Sequence, residues 1–562
     1  MAQIAPVEGL AHVKGDTSRR LLDVTLPEFF EYTRTKYGHC EAVVFSQFGL
    51  RWTYAELLEK CDDFAAGLLA LGIYKGDRVG IWSPNRAEWI IAQIATARIG
   101  VILVNINPAY KATELEYCIN KVGLKCLIFA TQFKSSGYAQ MLKELCPDLS
   151  GQKPGHLRLG KLPSLRALVQ ISNTPISGAF SFDEVVKKGT AGYLARLDHI
   201  SSGLLPDEAI NIQFTSGTTG APKGATLSHK NIINNAVSCA KAMKFTHHDR
   251  LCIPVPLYHC FGMVLGTLAC CSAGAAMIFP SEGFEADKTV RALKDERCTA
   301  VHGVPTMFSA MLSSPEYHGK PIKSLRTGIM AGSQCPETLM RRVLYDLGCS
   351  EITIGYGMTE TSPISFQSDV NDPVNVRVST VGRIQPHCEV KIVDDDGNTC
   401  AVGETGEFWA RGYLVMKGYW QDEAATRASI EGGWMKSGDL ATIDAQGYCR
   451  IVGRKKDMVI RGGENIYPAE LEDFLTSQKG IREAHVFGIP DEKFGEQLVA
   501  WIVAEKGANI DETSIKELCR KSLAYYKVPA IVRFVDEVPL TATGKPQKFR
   551  MREMMMSETT AS

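Results

Sequence analysis

The chain has 562 residues, 45% of them hydrophobic, and a chain of this length is expected to form about three or four domains or subdomains. Its 62 basic residues balance its 62 acidic ones, so no global field draws it onto nucleic acid or an anionic membrane. The 17 cysteines contain no Cys-x-x-Cys pair, which argues against a zinc site and against a secreted disulfide framework.

Two stretches bear on location. Residues 1–15 lack both an apolar h-region and a run of arginines, so neither a secretory signal nor a transit peptide is expected. The simplest expectation is a cytoplasmic enzyme, with the mitochondrial matrix as the alternative.

Residues 260–279 carry no charge, but they are rich in glycine, alanine and threonine. We therefore predict a buried helix leading into a strand over 275–279, and no transmembrane segment.

The first 200 residues alternate helical and strand patterns. The predicted elements are a helix over 54–71, a strand over 78–82, a helix over 89–99, a strand over 101–105, a helix over 113–121 and strands over 125–129 and 168–171. Strands that alternate with helices of this length predict βαβ units and a parallel sheet covered on both faces.

A glycine- and hydroxyl-rich loop follows an apolar strand over 210–214 and precedes a helix that starts at Ser228. Glycine lets backbone N–H groups approach a phosphate, hydroxyls add donors and lysine adds a charge. The loop is not a Walker A motif, because Pro222 stands where the second glycine would be. A flexible polar turn is the alternative to phosphate binding. The candidate ligands are Thr215, Ser216, Gly217, Thr218, Thr219, Gly220 and Lys223.

Four later strands, predicted over 251–256, 300–304, 326–331 and 352–355, each end in small or polar residues. Ligands of open α/β sheets bind at the carboxyl ends of strands, so these ends predict one shared cleft. From about residue 381 the pattern becomes antiparallel β. Beyond residue 457 a compact piece is predicted, with a turn over 461–465, helices over 468–476 and 512–523, and strands over 483–488, 498–504 and 531–535. A domain boundary is expected near Lys456.

Five separated motifs support one resemblance. They are the loop over 215–224, Tyr-Gly-Met-Thr-Glu at 356–360, Ser-Gly-Asp at 437–439, Gly-Arg at 453–454 with Asp457, and Thr-Gly-Lys at 543–545. In order and approximate spacing these motifs resemble those of the adenylate-forming superfamily of acyl-CoA synthetases, luciferases and peptide synthetases. Within it, the stretches over 107–110, 256–260 and 461–472 resemble the fatty acyl-CoA synthetases of the medium-chain type. The resemblance implies an α/β fold with a large N-terminal domain (1–455) of βαβ-type sheets plus a β-rich subdomain, and a small mobile α+β C-terminal domain (456–562).

The resemblance also implies a reaction in two halves. A fatty acid carboxylate attacks the α-phosphate of ATP to give acyl-AMP, and the thiolate of CoA then displaces AMP, with Mg²⁺ as the cofactor. The implied partners are these small molecules and, as a further expectation, a second copy of the chain in a homodimer. Neither a nucleic acid partner nor a transmembrane segment is expected. A CoA ligase for aromatic or other acids is the alternative within the class; a luciferase-like oxygenase and a non-catalytic lipid-binding homologue are alternatives outside it.

Roles for individual residues follow from the same resemblance. Lys545 is expected to bridge the carboxylate and the α-phosphate. Glu360 with Thr215 is expected to hold Mg²⁺, and Asp439 with Arg454 to bind the ribose. The nucleotide site is completed by Tyr356, Gly357, Met358 and Thr359, of which Thr359 is also counted as catalytic.

The resemblance assigns three further groups. Lys456 is the expected hinge, about which the C-terminal domain would turn to bring Gly462, Gly463 and Glu464 to the CoA side. The candidate acyl pocket consists of His259, Phe261, Gly262, Gly303, Gly332 and Ser333. A core histidine with satisfied hydrogen bonds is an equal alternative for His259.

Overall fold

The computed structural model of the chain describes residues 4–215, 222–333, 335–461, 464–491, 494–541 and 544–561. Within these ranges the chain forms a large N-terminal α/β domain and a small C-terminal α+β domain. The fold class predicted from the sequence is confirmed.

Two mainly parallel sheets form the base of the N-terminal domain. In spatial order, the strands of the first sheet are Phe180–Ser181, Ala167–Ile171, Cys126–Ala130, Arg78–Trp82, Ile102–Asn105, Ala209–Thr215, Lys223–Ser228 and Gly418–Tyr419. Those of the second sheet are Arg383–Ile384, Ile364–Gln367, Glu351–Gly357, Thr327–Ala331, Ala300–Gly303, Arg250–Cys252, Ala276–Phe279, Glu41–Phe45 and Leu50–Thr53. One buried cluster contains residues of both sheets, so the two sheets share a core.

The third sheet is antiparallel and forms the predicted β-rich subdomain. Its strands are His12–Lys14, Cys388–Val393, Gly406–Gly412, Trp434–Ile443, Ile430–Glu431 and Cys449–Arg454. Residues Gln132–Phe133 and Ser136–Gly137 form a separate short hairpin. The fourth sheet belongs to the C-terminal domain and consists of Glu464–Ile466, Val459–Arg461, Gly495–Ala504, Ile481–Asp491 and Ile531–Phe534.

Helices cover the sheets. In the N-terminal domain they are Leu26–Tyr37, Tyr54–Ala70, Ala87–Arg98, Ala112–Val122, Tyr138–Leu145, Phe182–Lys188, Ala191–Leu194, Leu197–Ser202, His229–Ala242, Cys260–Gly262, Ala269–Ala273, Ala286–Asp295, Pro305–Leu312, Glu337–Tyr345, Val374–Ser379 and Glu423–Ser429, with a π-helix over Met263–Leu268. Those of the C-terminal domain are Pro468–Thr476, Glu512–Ser522 and Lys548–Ala561.

Most of the predicted elements are confirmed to within one or two residues. The strand expected over 251–256 is too long, because it ends at Cys252 and the prolines at 254 and 256 have no N–H to donate to a ladder. Of the turn expected over 461–465, residues 461, 464 and 465 belong to two short paired strands, and residues 462 and 463 lie outside the described ranges. The helix Lys548–Ala561 was not predicted, although Met551 and Met555 are buried at the spacing of a helix face.

The uncharged segment 260–279 is buried and runs through helix into the strand Ala276–Phe279, as predicted. Among the described residues, no helix has the length and apolar character needed to cross a membrane.

Candidate active site

The strand Glu351–Gly357 carries Tyr356 and Gly357 to its carboxyl end, where a buried turn over Thr359–Thr361 follows. A side chain at Gly357 would place its Cβ 1.8 Å from the carbonyl oxygen of Pro363, so the chain can fold back here only with glycine. Met358 N–H donates to the same carbonyl at 3.0 Å. This close return fixes the direction in which the next two side chains, Thr359 and Glu360, point.

Asp439 joins the third sheet to this strand end. Its Oδ2 accepts a hydrogen bond from the Tyr356 hydroxyl at 2.6 Å, and its Oδ1 contacts Arg454 Nε at 3.0 Å. Asp439 and Arg454 face each other on paired antiparallel strands. Burial, followed by the charge of Asp439, raises the pKa of Tyr356 well above its usual value. The Asp439 carboxylate is buried, while the side chain of Arg454 is about half exposed.

Glu360 is held by a residue that the sequence did not single out. Its side chain is buried, with 6% of the residue exposed, and Oε1 accepts from the Tyr419 hydroxyl at 2.9 Å. Tyr419 lies in a two-residue strand whose partner is Ala225, and the ammonium of Lys223 lies 5.0 Å from the centre of its ring. The glycine-rich loop and the 356–360 motif, which are far apart in sequence, thus meet at one tyrosine. The sequence pattern could not identify Tyr419 as a site residue, because a strand of two residues is too short to show hydrophobic periodicity.

The residues around Glu360 fit a hard divalent cation. No ion pair joins this buried carboxylate to another described residue, and one neutral hydroxyl is its recorded side-chain donor. A buried carboxylate without a cationic partner is costly, and a bound cation would remove that cost. The described residues contain no cluster of three or more His, Cys, Asp or Glu side chains suited to a metal. The Glu360 carboxylate would suit Mg²⁺, which is usually bound through one or two carboxylates together with substrate phosphates.

The glycine-rich loop is described only at its ends. Thr215 pairs with Lys223 across an antiparallel hairpin, and the Thr215 hydroxyl contacts the Lys223 carbonyl at 3.4 Å. The hairpin therefore presents the Lys223 end of the loop beside Tyr419, the residue that donates to Glu360. Five predicted phosphate ligands lie outside the described residues: Ser216, Gly217, Thr218, Thr219 and Gly220.

Lys545 reaches this site from the C-terminal domain. Its Cε would lie 3.4 Å from a Cβ built on Gly332, at the end of the strand Thr327–Ala331. Its pKa is lowered, first by burial and then by the charge of Arg454, while Asp439 and Glu360 oppose that change. The described part of the structure thus brings Lys545, Glu360, Asp439 and Arg454 into one cleft.

His259 has a local structural role. Its Nδ1 accepts from the N–H of Phe261 at 3.2 Å and so caps the helix Cys260–Gly262. Burial, together with the charge of Lys545, lowers its pKa to about 3, so the ring is neutral at physiological pH. Cys260 Sγ lies 3.9 Å from Thr359 Oγ1, which places this helix start against the buried turn.

Phe261 stacks on His302, with ring centres 5.2 Å apart. His302 Nδ1 accepts from the N–H of Ile329 at 3.2 Å, so Nε2 carries the proton that is donated to the Leu265 carbonyl at 3.0 Å. Burial lowers the pKa of His302 to about 4. This histidine was not predicted as a site residue, and it links the π-helix to the second sheet.

The glycines of the expected acyl pocket have close neighbours. A Cβ on Gly262 would lie 2.4 Å from the Pro256 carbonyl, and one on Gly303 would lie 3.0 Å from the Phe308 ring. Gly332 has a φ of +91° and faces Val304 as well as Lys545, with Ser333 next in the chain. The space beside Gly303 and Gly332 is thus taken by protein atoms, and the pocket assignment stays a prediction.

The expected hinge residue follows the cleft residue Arg454, and the one described CoA-side residue lies in the C-terminal domain. Lys456 is exposed in a short 3₁₀ turn over Lys455–Asp457, directly after the strand that carries Arg454. Glu464 is exposed at the start of a strand and pairs with Arg461. No hydrogen bond or ion pair between described residues joins Glu464 to Lys545. Gly462 and Gly463 lie outside the described ranges.

The candidate site is a cleft between a large α/β domain and a small C-terminal domain, with two buried carboxylates and a lysine from the C-terminal domain. The family model for AMP-binding enzymes matches residues 30–420, and that for the C-terminal domain of AMP-binding enzymes matches residues 470–545. The chain belongs to the AMP-binding enzymes.

Relatives agree over nearly the full length. YngI of Bacillus subtilis (strain 168), which carries an acyl-CoA synthetase name, is 44% identical over 95% of this chain and 97% of its own. The medium-chain acyl-CoA ligase ACSF2, mitochondrial, of Danio rerio is 43% identical over 98% of this chain and 91% of its own. ATP-bound MatB from Rhodopseudomonas palustris has a similar structure, with a TM-score of 0.81 and 28% identity over 95% of this chain and 99% of its own.

Proposed function

We propose that the protein activates a medium- to long-chain fatty acid. A carboxylate oxygen of the fatty acid attacks the α-phosphorus of ATP and the bond to the β-phosphate breaks, which gives acyl-AMP and pyrophosphate. The thiolate of CoA then attacks the acyl carbon, and AMP leaves as acyl-CoA forms. Two relatives named as acyl-CoA synthetase or ligase, both above 40% identity, support this assignment.

One observation carries the proposal. Lys545 of the C-terminal domain lies in the same cleft as Glu360 and Asp439 of the N-terminal domain. Adenylation brings two anions together, and a cation fixed beside both lowers the cost of the charge that gathers at the reacting atoms. Burial lowers the pKa of Lys545, whereas the phosphates and the carboxylate of the substrates would raise it again and favour the ammonium form.

The other residues would position the nucleotide. Asp439 and Arg454 offer oxygens and N–H groups to the ribose hydroxyls, next to Tyr356. Thr215 and Lys223 would face the leaving pyrophosphate from the ends of the glycine-rich loop. Glu360 with Thr215 would hold Mg²⁺, which when bound neutralises phosphate charge.

We further propose that residues 1–455 and 456–562 move as two domains about Lys456. In this mechanism the C-terminal domain first presents Lys545 and then turns the Gly462, Gly463 and Glu464 segment toward the entry of CoA.

The proposed location is the cytoplasm or the mitochondrial matrix, and the mitochondrial names of relatives support the second. The proposed assembly is a homodimer.

The proposal is tested by measuring AMP and pyrophosphate release with octanoate, palmitate and benzoate, with and without CoA. We expect CoA-dependent AMP release with the fatty acids. If only benzoate gave AMP release, the proposed substrate would be an aromatic acid and not a fatty acid. If no acid gave AMP release, the proposal would be overturned.

The same assay tests the lysine. Lys545→Ala should slow acyl-AMP formation about 10²-fold or more, by analogy with the loss of a transition-state donor, and should affect CoA transfer from supplied acyl-AMP much less. Lys548→Ala is the matched control, because Lys548 lies on the same domain and pairs with Glu472 at 2.7 Å. Equal losses in both half-reactions would contradict the role given to Lys545.

A further inference from the structure

The turn that carries Lys545 is braced from within. Thr541 N–H donates to the Lys545 carbonyl at 2.7 Å, and Lys545 N–H donates back to the Thr541 hydroxyl at 3.0 Å. Gly544, with a φ of +81°, donates its N–H to the Thr541 carbonyl at 2.9 Å. Two of these bonds tie the backbone of Lys545 to Thr541 and the third ties Gly544 to Thr541, so the position of Gly544 and that of Lys545 are coupled.

The turn docks on the start of the helix Pro305–Leu312. The hydroxyl of Thr306 donates to the Gly544 carbonyl at 3.2 Å. A Cβ on Gly544 would lie 3.2 Å from both Thr306 Oγ1 and Val304 Cγ2, so the backbone of the turn lies directly against these two side chains. Thr306 thus holds the residue that immediately precedes Lys545.

Two hydrogen bonds between described residues cross from one domain to the other. Of the hydrogen bonds that join two described residues, the Thr306 to Gly544 bond is one of two that link residues before Lys456 to residues after it. The other joins Met458 N–H to the Arg454 carbonyl, within the hinge itself. A bond at the hinge can persist when a domain turns about it, whereas the bond to Thr306 must break when Lys545 leaves the cleft.

We propose that Thr306 is a positioning residue that holds the C-terminal domain in the orientation used for acyl-AMP formation. This inference rests on the proposed function. A contact shifts a conformational equilibrium only by the difference in its free energy between the two states. In this proposal the Thr306 to Gly544 bond is present in the orientation for acyl-AMP formation and absent in the orientation for CoA transfer. Thr306 should therefore favour the first half-reaction and have no part in the second.

The test compares Thr306→Val, which keeps the shape of the side chain and removes the donor, with Thr306→Ser, which keeps the donor. Loss of one neutral hydrogen bond predicts an acyl-AMP formation rate about two- to ten-fold lower in Thr306→Val, measured in a single turnover. CoA transfer from supplied acyl-AMP should be unchanged, and Thr306→Ser should restore most of the first rate.

A second readout does not depend on catalysis. Trace acetylation with acetic anhydride, followed by peptide mass spectrometry, reports how often Lys545 is exposed, with Lys548 as the internal reference. Thr306→Val should increase the labelling of Lys545 relative to Lys548, and Thr306→Ser should not.

The outcomes separate the two proposals. If the unmodified protein forms no acyl-AMP from any acid, the proposed function fails. If it forms acyl-AMP and Thr306→Val does so at the same rate with unchanged labelling, the role of Thr306 alone is wrong. Equal losses in both half-reactions would also overturn that role, because a merely structural residue affects both steps.

Discussion

Replacing Tyr419 by phenylalanine removes one oxygen atom from the site. The hydroxyl that donates to Glu360 Oε1 at 2.9 Å is lost, while the ring that faces the ammonium of Lys223 at 5.0 Å stays. Among the residues that the structure describes, no other side-chain donor is then left to fix the rotamer of the Glu360 carboxylate. Because a metal ligand must be held in one orientation to bind well, we expect this change to act on the metal requirement more than on the fold.

The magnitude follows from the contact that is lost. Substitutions of outer partners of metal ligands typically cost about 10- to 100-fold in metal affinity or activity. A hydrogen bond to a charged group contributes about 1.5–3 kcal/mol, and a free energy of this size corresponds to about the same fold-change in affinity. We therefore expect Tyr419→Phe to need about 10- to 100-fold more free Mg²⁺ for half-maximal acyl-AMP formation.

The assay is a titration of pyrophosphate release with Mg²⁺ at saturating ATP and fatty acid. Binding of Mn²⁺ in the presence of ATP, measured by electron paramagnetic resonance, provides a readout without turnover. Tyr448→Phe is the matched control, since its hydroxyl donates to Asp372 at 2.7 Å outside the proposed site. A Tyr419→Phe variant with the metal dependence of the control would refute the reasoning.

Two further predictions concern motion and pH. Lys456→Pro should spare acyl-AMP formation and suppress thioester formation, because proline restricts the backbone at the hinge, whereas Lys456→Ala should support both steps; equally fast thioester formation in the proline variant would contradict a hinge there. His302, with a pKa lowered to about 4 by burial, is neutral when folded and would be protonated below about pH 6.5 when unfolded. Its contribution to stability is therefore fully present above pH 6.5 and is lost as the pH falls toward 4. Melting temperatures over this window should fall less steeply for His302→Gln than for the unmodified protein, and identical slopes would exclude His302 as a source of acid sensitivity.

Much of the framework could be predicted from the sequence because it is local. The alternation of helix and strand through the first sheet follows from hydrophobic periodicity, which depends on neighbouring residues only. The strand predicted over 78–82 is observed at Arg78–Trp82, and the C-terminal helix predicted over 468–476 at Pro468–Thr476. The motif residues Glu360, Asp439 and Lys545 could be named because their order along the chain resembles that of a known superfamily.

The tertiary structure alone decided which side chains support those residues. Tyr419 reaches Glu360 because a two-residue strand pairs with the hairpin after the glycine-rich loop, and Thr306 reaches Gly544 because a helix start faces the C-terminal domain. Pairs separated by 59 and 238 positions leave no periodic trace in a single sequence. The sequence thus determined the elements and the residues proposed to react, whereas the packing of distant segments determined what orients those residues, because such contacts exist only after the chain has folded.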